Sequence, residues 1–325
     1  MFERELEAAK EAALAAGGVI ERFRREGVRY GRKAGRELVS EADLAAAALL
    51  ERRLLGAFPD DGWLSEEHRD SPARLRAART WVVDPIDGTR EYLEGVPEFA
   101  VSIALVADGE PVLGVVHNPA TGELFAAACC GAEERPATEP TGQPFEALVG
   151  RGEHAWDDLP PLPEGTLVRP MGSVAYRLAR LAQGDGNATL TGFGRAEWDV
   201  AAGVALCRAA GLRVTGVLGD PLRFNQPRPV VRGLLAAEPG LHERLTRFFM
   251  QFARGSPQGG RPWASASGSA SRGSRFRRRT RSGGGSTCWR SAARIPSGSA
   301  SGWFRARRRW SQWRPSGWRW EGRGG

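Results

Sequence analysis

Four groups of acidic residues stand where carboxylates could do chemistry: "SEE" at 65–67, "DPIDGT" at 84–89, "EWD" at 197–199, and Asp43 within "VSEAD". DPIDGT is the most telling. Asp84 closes an apolar strand, and Pro85, with no N–H to donate, stops the ladder there. The chain then turns at Asp87-Gly88 and opens a helix at Thr89. The free N–H groups of that helix start face the way the acids face, which puts an anion site beside a cation site. Crowded carboxylates repel unless a cation lies between them. Oxygen-only ligands favour Mg2+, which binds through few carboxylates plus water and substrate phosphate.

The elements that must position these groups are legible from periodicity. Residues 2–26 read as an amphipathic helix, with Leu6, Ala9, Ala13, Ala16 and Ile20 on one face. Residues 38–55 read as a short strand, a cap and a second helix. Ser40 is the expected N-cap, with Asp43 completing a capping box. A turn and short strand follow at 58–68, and a strand at 80–84. Residues 99–107 and 111–117 are two strands joined by the hairpin signal "DGE", and 124–130 can pair next, so an antiparallel sheet is expected in the first half. Residues 132–166, rich in Pro, Glu and Gly, read as containing a loop, and 170–182 as a turn feeding a helix. Beyond it "ATLTGF", "LRVTGV" and "VRGLLAAE" read as strands, and "WDVAAGVALCRAAG", closed by Gly211, and "LHERLTRFFMQFA" as helices. This half alternates strand and helix, as an α/β layer does.

The chain has 325 residues and a formal charge of +8. Residues 251–325 hold 17 Arg and one acid, a net of +16, so residues 1–250 carry −8. A nucleic-acid partner is therefore suggested only by the tail. Cys129, Cys130, Cys207 and Cys288 form no C-x-x-C pair, which argues against a disulfide framework or structural zinc. The N-terminus lacks a signal layout, and no apolar run approaches the roughly 20 residues of a membrane span. A soluble, cytoplasmic protein without a membrane partner is the expectation. The four His read as surface or core residues, and Trp81 and Trp198 as packing residues.

"SEE", then "DPIDGT" 18 residues after Glu66, then "EWDVAAG" on a later helix, resembles the inositol monophosphatase family of Mg2+-dependent, lithium-sensitive phosphatases. "LVSEAD", "GSVAYRLA" and "GDPLRFNQP…VRGLLAAEP" extend the resemblance over about residues 5–250. It implies a layered α-β-α-β-α sandwich, a mixed α+β and α/β fold of the inositol monophosphatase and fructose-1,6-bisphosphatase type. It divides residues 1–254, the phosphatase domain, near residue 135 into an α+β half with the metal site and an α/β half. Two or three Mg2+, a small phosphate ester as substrate and a homodimer are also implied.

The same resemblance assigns roles. Glu66, Asp84, Asp87, Asp199 and the carbonyl of Ile86 match metal ligands, with Glu67 matching an acid that lies beside the first metal and is not the main ligand. Thr89 with Asp43 matches the pair that orients and deprotonates the attacking water, Glu66 assisting through its metal. Gly88 and Thr89 match N–H donors to the phosphate. Gly172, Ser173 and Val174 match the helix start that meets the rest of the substrate. "DGTREY" and "RAEWD" look most like the 3'(2'),5'-bisphosphate nucleotidase branch, the CysQ type, where Arg195 could meet a second phosphate. The inositol branch carries a Glu where this chain has Gly192. Against the nucleotidase pattern, Gly150 replaces an expected Ser, and Asn187 stands where an Asp is usual. An inositol or other sugar or histidinol phosphatase is the alternative. A family fold without activity, binding nucleic acid through the tail, is the competing class.

After about residue 254 the apolar period ends, and seven of the 11 Trp lie beyond residue 262 among Arg, Ser and Gly. Such a segment is not expected to build a core. With two Lys against 44 Arg, the chain reads as the product of a GC-rich gene, and 255–325 as a disordered or frameshift-derived extension, the rival being an authentic basic arm. Intact mass spectrometry of the natural protein checks this: the frameshift reading expects a mass without the tail, and a full-length mass contradicts it.

Overall fold

A computed structural model of the chain describes residues 2–32, 38–129, 134, 144–155, 159–255 and 319–321. In chain order the elements are α1 (Glu3–Glu26), β1 (Tyr30–Arg32), β2 (Leu38–Ser40), α2 (Glu41–Ala57), β3 (Gly62–Ser65), β4 (Arg79–Asp87), α3 (Thr89–Glu94), β5 (Ala100–Ala107), β6 (Glu110–Asn118) and β7 (Glu123–Ala128). There follow β8 (Glu146–Gly150), α4 (Arg151–Ala155), β9 (Leu167–Met171), α5 (Val174–Ala182), β10 (Ala188–Ala196), α6 (Glu197–Ala209), β11 (Arg213–Thr215), β12 (Val230–Ala237), α7 (Pro239–Gly255) and β13 (Arg319–Glu321).

Two five-stranded sheets organise the molecule, in orders β3-β4-β5-β6-β7 and β11-β12-β10-β8-β9. Strand alternation assigns the layers. Trp81 and Val83 of β4 pack with Ala9, Ala13, Ile20, Leu50 and Leu54 of α1 and α2. Val82, from the opposite face, joins a core with Leu178 of α5, Val204 of α6 and Leu234 of β12. Leu190 and Leu235, on the outer face of the second sheet, meet Leu241, Leu245 and Phe249 of α7. The result is α-β-α-β-α, as expected. Each buried Leu or Phe in these layers contributes about 2 kcal/mol of apolar transfer.

Local chemistry explains several elements. Ser40 caps α2, its hydroxyl accepting from Asp43 N while the Asp43 carboxylate accepts from Ser40 N, so the capping box is present. The β5–β6 hairpin turns at Asp108 (φ 51°) and Gly109 (φ 77°), the left-handed pair that suits twisted strands. Gly203 lets α6 lie against α5, since a Cβ there would come within 2.4 Å of Leu178 Cβ.

Two expectations need correction, and further elements appear. β4 does not stop at Asp84. It runs to Asp87 through a bulge: Asp84 pairs with Ser102 and Asp87 with Ala100, so Pro85 and Ile86 oppose a single residue. Proline is tolerated because β3 pairs with β4 only as far as Val83. The first sheet is not wholly antiparallel, since β3 and β4 run parallel. The region 132–166 contains β8 and α4, and β9 precedes the turn into α5. The expected boundary near residue 135 and the tail at 256–318 and 322–325 lie outside the described residues. Within the tail, β13 pairs antiparallel with β1.

His242 on α7 is buried, with Nε2 3.0 Å from Thr215 Oγ1. Burial, then the nearby Arg213 charge, pushes its pKa down to about 4. A folded pKa below the unfolded value of about 6.5 contributes stability that is full above the unfolded value and lost as pH falls towards 4, a loss of roughly 3 kcal/mol. Denaturant unfolding between pH 7.5 and 4.5 should therefore fall more steeply for the natural chain than for His242→Gln. Equal slopes would contradict this assignment.

Candidate active site

The bulge in β4 places the acids. Asp84 is buried, and its Oδ1 accepts from Ile86 N at 2.9 Å, which fixes the carboxylate across the bulge. Asp87 emerges at the end of the strand, and Asp199 comes from the first turn of α6. Asp84, Asp87 and Asp199 each offer a carboxylate oxygen, all within 4.8 Å of one another. Burial, and then the charges of Glu66, Asp87, Asp199 and Asp43, hold the Asp84 carboxyl well above the usual carboxylate range. Glu66 follows β3 and acts on Asp84 through its charge, but it is not one of the three acids in the tight set. Asp87 is also raised, chiefly by burial. Bonds from Ser173 and Ala175 and the charges of Arg195 and Arg177 oppose that rise.

The Thr89–Asp43 pair is formed. Thr89 Oγ1 lies 3.2 Å from Asp43 Oδ1 and 3.1 Å from the Ile86 carbonyl oxygen. The hydroxyl has one proton to donate to either acceptor, and its lone pairs remain able to accept from water. Asp43 is anchored by its other oxygen, Oδ2, which accepts from Ser40 N at 2.8 Å and Ser40 Oγ at 2.5 Å. One carboxylate thus serves the cap of α2 and the site together. Gly88, at φ 92°, caps the short α3 and turns the chain back over the acids.

The helix start at 172–174 is held by acids. Ser173 Oγ donates to Asp87 Oδ2 at 2.6 Å, and Ala175 N donates to the same oxygen at 2.7 Å. An anion at the N-terminus of α5 is favourable. Gly172 N donates to Glu98 Oε2 at 2.7 Å, and Arg151 pairs with that carboxylate. Val174 is buried in the core between the sheets. Arg195 is bound by Glu153 and reaches Thr191 Oγ1 at 3.3 Å. Trp81 is fully buried and Trp198 packs against the central core, as packing residues do.

Sequence reading missed the supports. Glu197 is fully buried and accepts from Asn225 N at 2.6 Å and Gln226 N at 3.0 Å, and burial pushes its pKa up to about 7. Arg74 donates to Asp70, Asn225 and the Gln226 carbonyl, tying the segment after β3 to the loop before β12 that Glu197 also holds. Glu153, Arg177 and Glu98 were also unmarked. All depend on partners far away in sequence, and the local signals were "EWD" at 197–199 and "GRGE" at 150–153.

Buried like charges in a bulge, with a hydroxyl–carboxylate pair beside them, fit a cation and a water nucleophile. The fold and these acids define a metal-dependent phosphatase. The family model "Inositol monophosphatase family" matches residues 2–251, and the chain belongs to that family. Inositol-1-monophosphatase ImpA of Mycolicibacterium smegmatis is 34% identical over 66% of this chain and 80% of its own length. A protein of Mycobacterium leprae named 3'-phosphoadenosine 5'-phosphate phosphatase is 33% identical over 68% of this chain and 84% of its own. The crystal structure of extragenic suppressor protein suhB from Bartonella henselae superposes with TM-score 0.63 at 27% identity, covering 75% of this chain and 98% of that one. The chain is a phosphoric monoester hydrolase. Among the described residues no helix is long and apolar enough to cross a membrane.

Asp84→Asn removes one charge from the cluster and keeps the acceptor for Ile86 N. It should raise thermal stability in EDTA by about 1–2 kcal/mol while abolishing metal-dependent phosphate release. Thermal unfolding and phosphate assays on the same preparation check both. Lower stability in EDTA, or retained activity, would contradict the crowding argument.

Proposed function

We propose that the chain hydrolyses a 3'(2'),5'-bisphosphate nucleotide, releasing one phosphate by direct attack of water. The observation that carries the reaction is the meeting of Asp84, Asp87 and Asp199 within 4.8 Å beside the Thr89–Asp43 hydrogen bond. Asp84, Asp87, Asp199, Glu66 and the Ile86 carbonyl would hold two or three Mg2+. When bound, Mg2+ supplies charge neutralisation for the phosphoryl group and the leaving oxygen and lowers the pKa of coordinated water. The protein's own part is geometric and protonic. Thr89 donates to Asp43 and accepts from the attacking water, and Asp43 takes the proton onto the oxygen that Ser40 leaves free. Glu66 supports that step from the metal side. The N–H groups of Gly88 and Thr89 bind phosphoryl oxygens.

Two features support the nucleotide over the inositol ester. Arg195 is a guanidinium standing near Asp87 and Asp199, placed to read a second anionic group. Gly192 offers no carboxylate to a sugar ring. Inositol 1-phosphate is the second reading, favoured by the name of the M. smegmatis relative. The enzyme is further proposed to act as a cytoplasmic homodimer.

Initial rates with Mg2+ should rank adenosine 3',5'-bisphosphate above myo-inositol 1-phosphate, histidinol phosphate and fructose 1,6-bisphosphate in kcat/KM. Thr89→Val should lower kcat by about 10²–10⁴ with an unchanged melting temperature. Preference for inositol 1-phosphate would overturn the substrate assignment. Undiminished turnover in Thr89→Val would overturn the role of the hydroxyl.

A further inference from the structure

A second charged cluster lies behind the carboxylates, and the hydrolytic chemistry does not use it. Glu153 of α4, Arg177 of α5, and Thr191 and Arg195 of β10 converge there. Glu153 Oε1 accepts from both Thr191 Oγ1 and Arg195 Nη2, and Arg195 Nε donates to Thr191 Oγ1 at 3.3 Å. The three side chains close a ring, so the Arg195 guanidinium is held at two nitrogens. Arg177 is 1% exposed. Its charge acts on Glu153, Arg195 and Asp87. Two guanidinium groups thus face one carboxylate, leaving a net positive charge beside Asp87 and Asp199.

The burial differs in a way that assigns roles. The Arg195 side chain is 30% exposed, while that of Glu153 is 6% exposed. Arg195 can therefore meet a ligand, whereas the buried Glu153 and Arg177 act on one only through their neighbours. Gly150 makes room for the arrangement. A Cβ at that position would come 3.0 Å from Glu153 Oε2 and 3.1 Å from Arg177 Nη1. A serine, the residue expected there on resemblance, would crowd both groups. Glycine at 150 and glutamate at 153 therefore belong to one packing solution. A bulge in β10 between Thr191 and Gly194 separates the two β10 members of the ring.

We propose that Glu153 is a positioning residue that fixes Arg195 to receive the anionic group of the substrate remote from the scissile phosphate, with Gly150 and Arg177 as its structural supports. A free arginine loses side-chain freedom when it binds an anion, and a guanidinium already held at two nitrogens loses less. The ring thus confers selectivity for a doubly phosphorylated nucleotide over a singly phosphorylated one. This selectivity rests on the bisphosphate reading above.

The test compares adenosine 3',5'-bisphosphate with adenosine 3'-monophosphate on the full chain with Mg2+. Glu153→Gln should lower the ratio of their kcat/KM values about tenfold, with the loss in KM for the bisphosphate. Because that change removes one counter-charge of the buried Arg177, Thr191→Val serves as the variant without a charge change. It should lower the same ratio about threefold, a smaller share of a hydrogen-bonded network. An unchanged ratio in both variants, or an equal fall in kcat on both substrates, overturns the proposal. If the natural chain itself shows no preference for the bisphosphate, the nucleotide reading and the selectivity fall together. The positioning of Arg195 is then decided by NMR of 15N-arginine-labelled protein, with the signal assigned through Arg195→Lys. The Arg195 Nε–H should exchange slowly with water in the natural chain and at least about tenfold faster in Glu153→Gln. Equal exchange in the two overturns the positioning role whatever the substrate.

Discussion

The structure turns on the repulsion among carboxylates gathered at the end of β4. Asp84 sits in a buried bulge with Glu66, Asp87, Asp199 and Asp43 all pressing on it electrostatically. Nothing in a hydrophobic core calls for such a grouping, and unaided it opposes folding. It is held because each acid is fixed from a different direction. The bulge fixes Asp84 and Asp87, the α2 cap fixes Asp43, and the start of α6 fixes Asp199. Each anchor belongs to a well-packed layer, so the layers supply the stability that the site consumes.

Several anchors serve two purposes. Asp43 caps α2 with one oxygen and meets Thr89 with the other. Asp87 joins the set of acids that could hold a metal and also caps α5. Glu197 receives two backbone N–H groups of the 225–226 segment two residues before Asp199. Such sharing couples the positions of the acids to the layers around them. A shift of α5 or α6 against the first sheet would change the spacing of the carboxylates. The close approach of α6 to β6 at Gly114, where a Cβ would come 2.3 Å from the Ala202 carbonyl oxygen, opposes such a shift.

How much of this was legible in the sequence depended on the range of the interaction. The Ser40–Asp43 box was legible because capping is local and its spacing is fixed. DPIDGT was legible as a site because a proline between two aspartates after an apolar run has few structural explanations. The bulge was not, because it depends on where β3 stops pairing and on the register with β5. β8 was hidden because its five residues follow a Pro- and Gly-rich stretch and alternate too briefly to show a period. Glu153 was unreadable because its partners lie 38 and 42 residues away, and only the folded chain places a glycine at 150 beside it.

The claim that the carboxylate crowding exists to hold a cation is tested most directly by anomalous diffraction from crystals grown with Mn2+ in place of Mg2+. The account predicts an anomalous peak in direct contact with the Asp84 and Asp87 carboxylates and the Ile86 carbonyl, with Asp199 within reach of the same or a neighbouring ion. A map with no peak there, and Asp84 hydrogen-bonded to a neighbouring carboxylate through a shared proton, would contradict it.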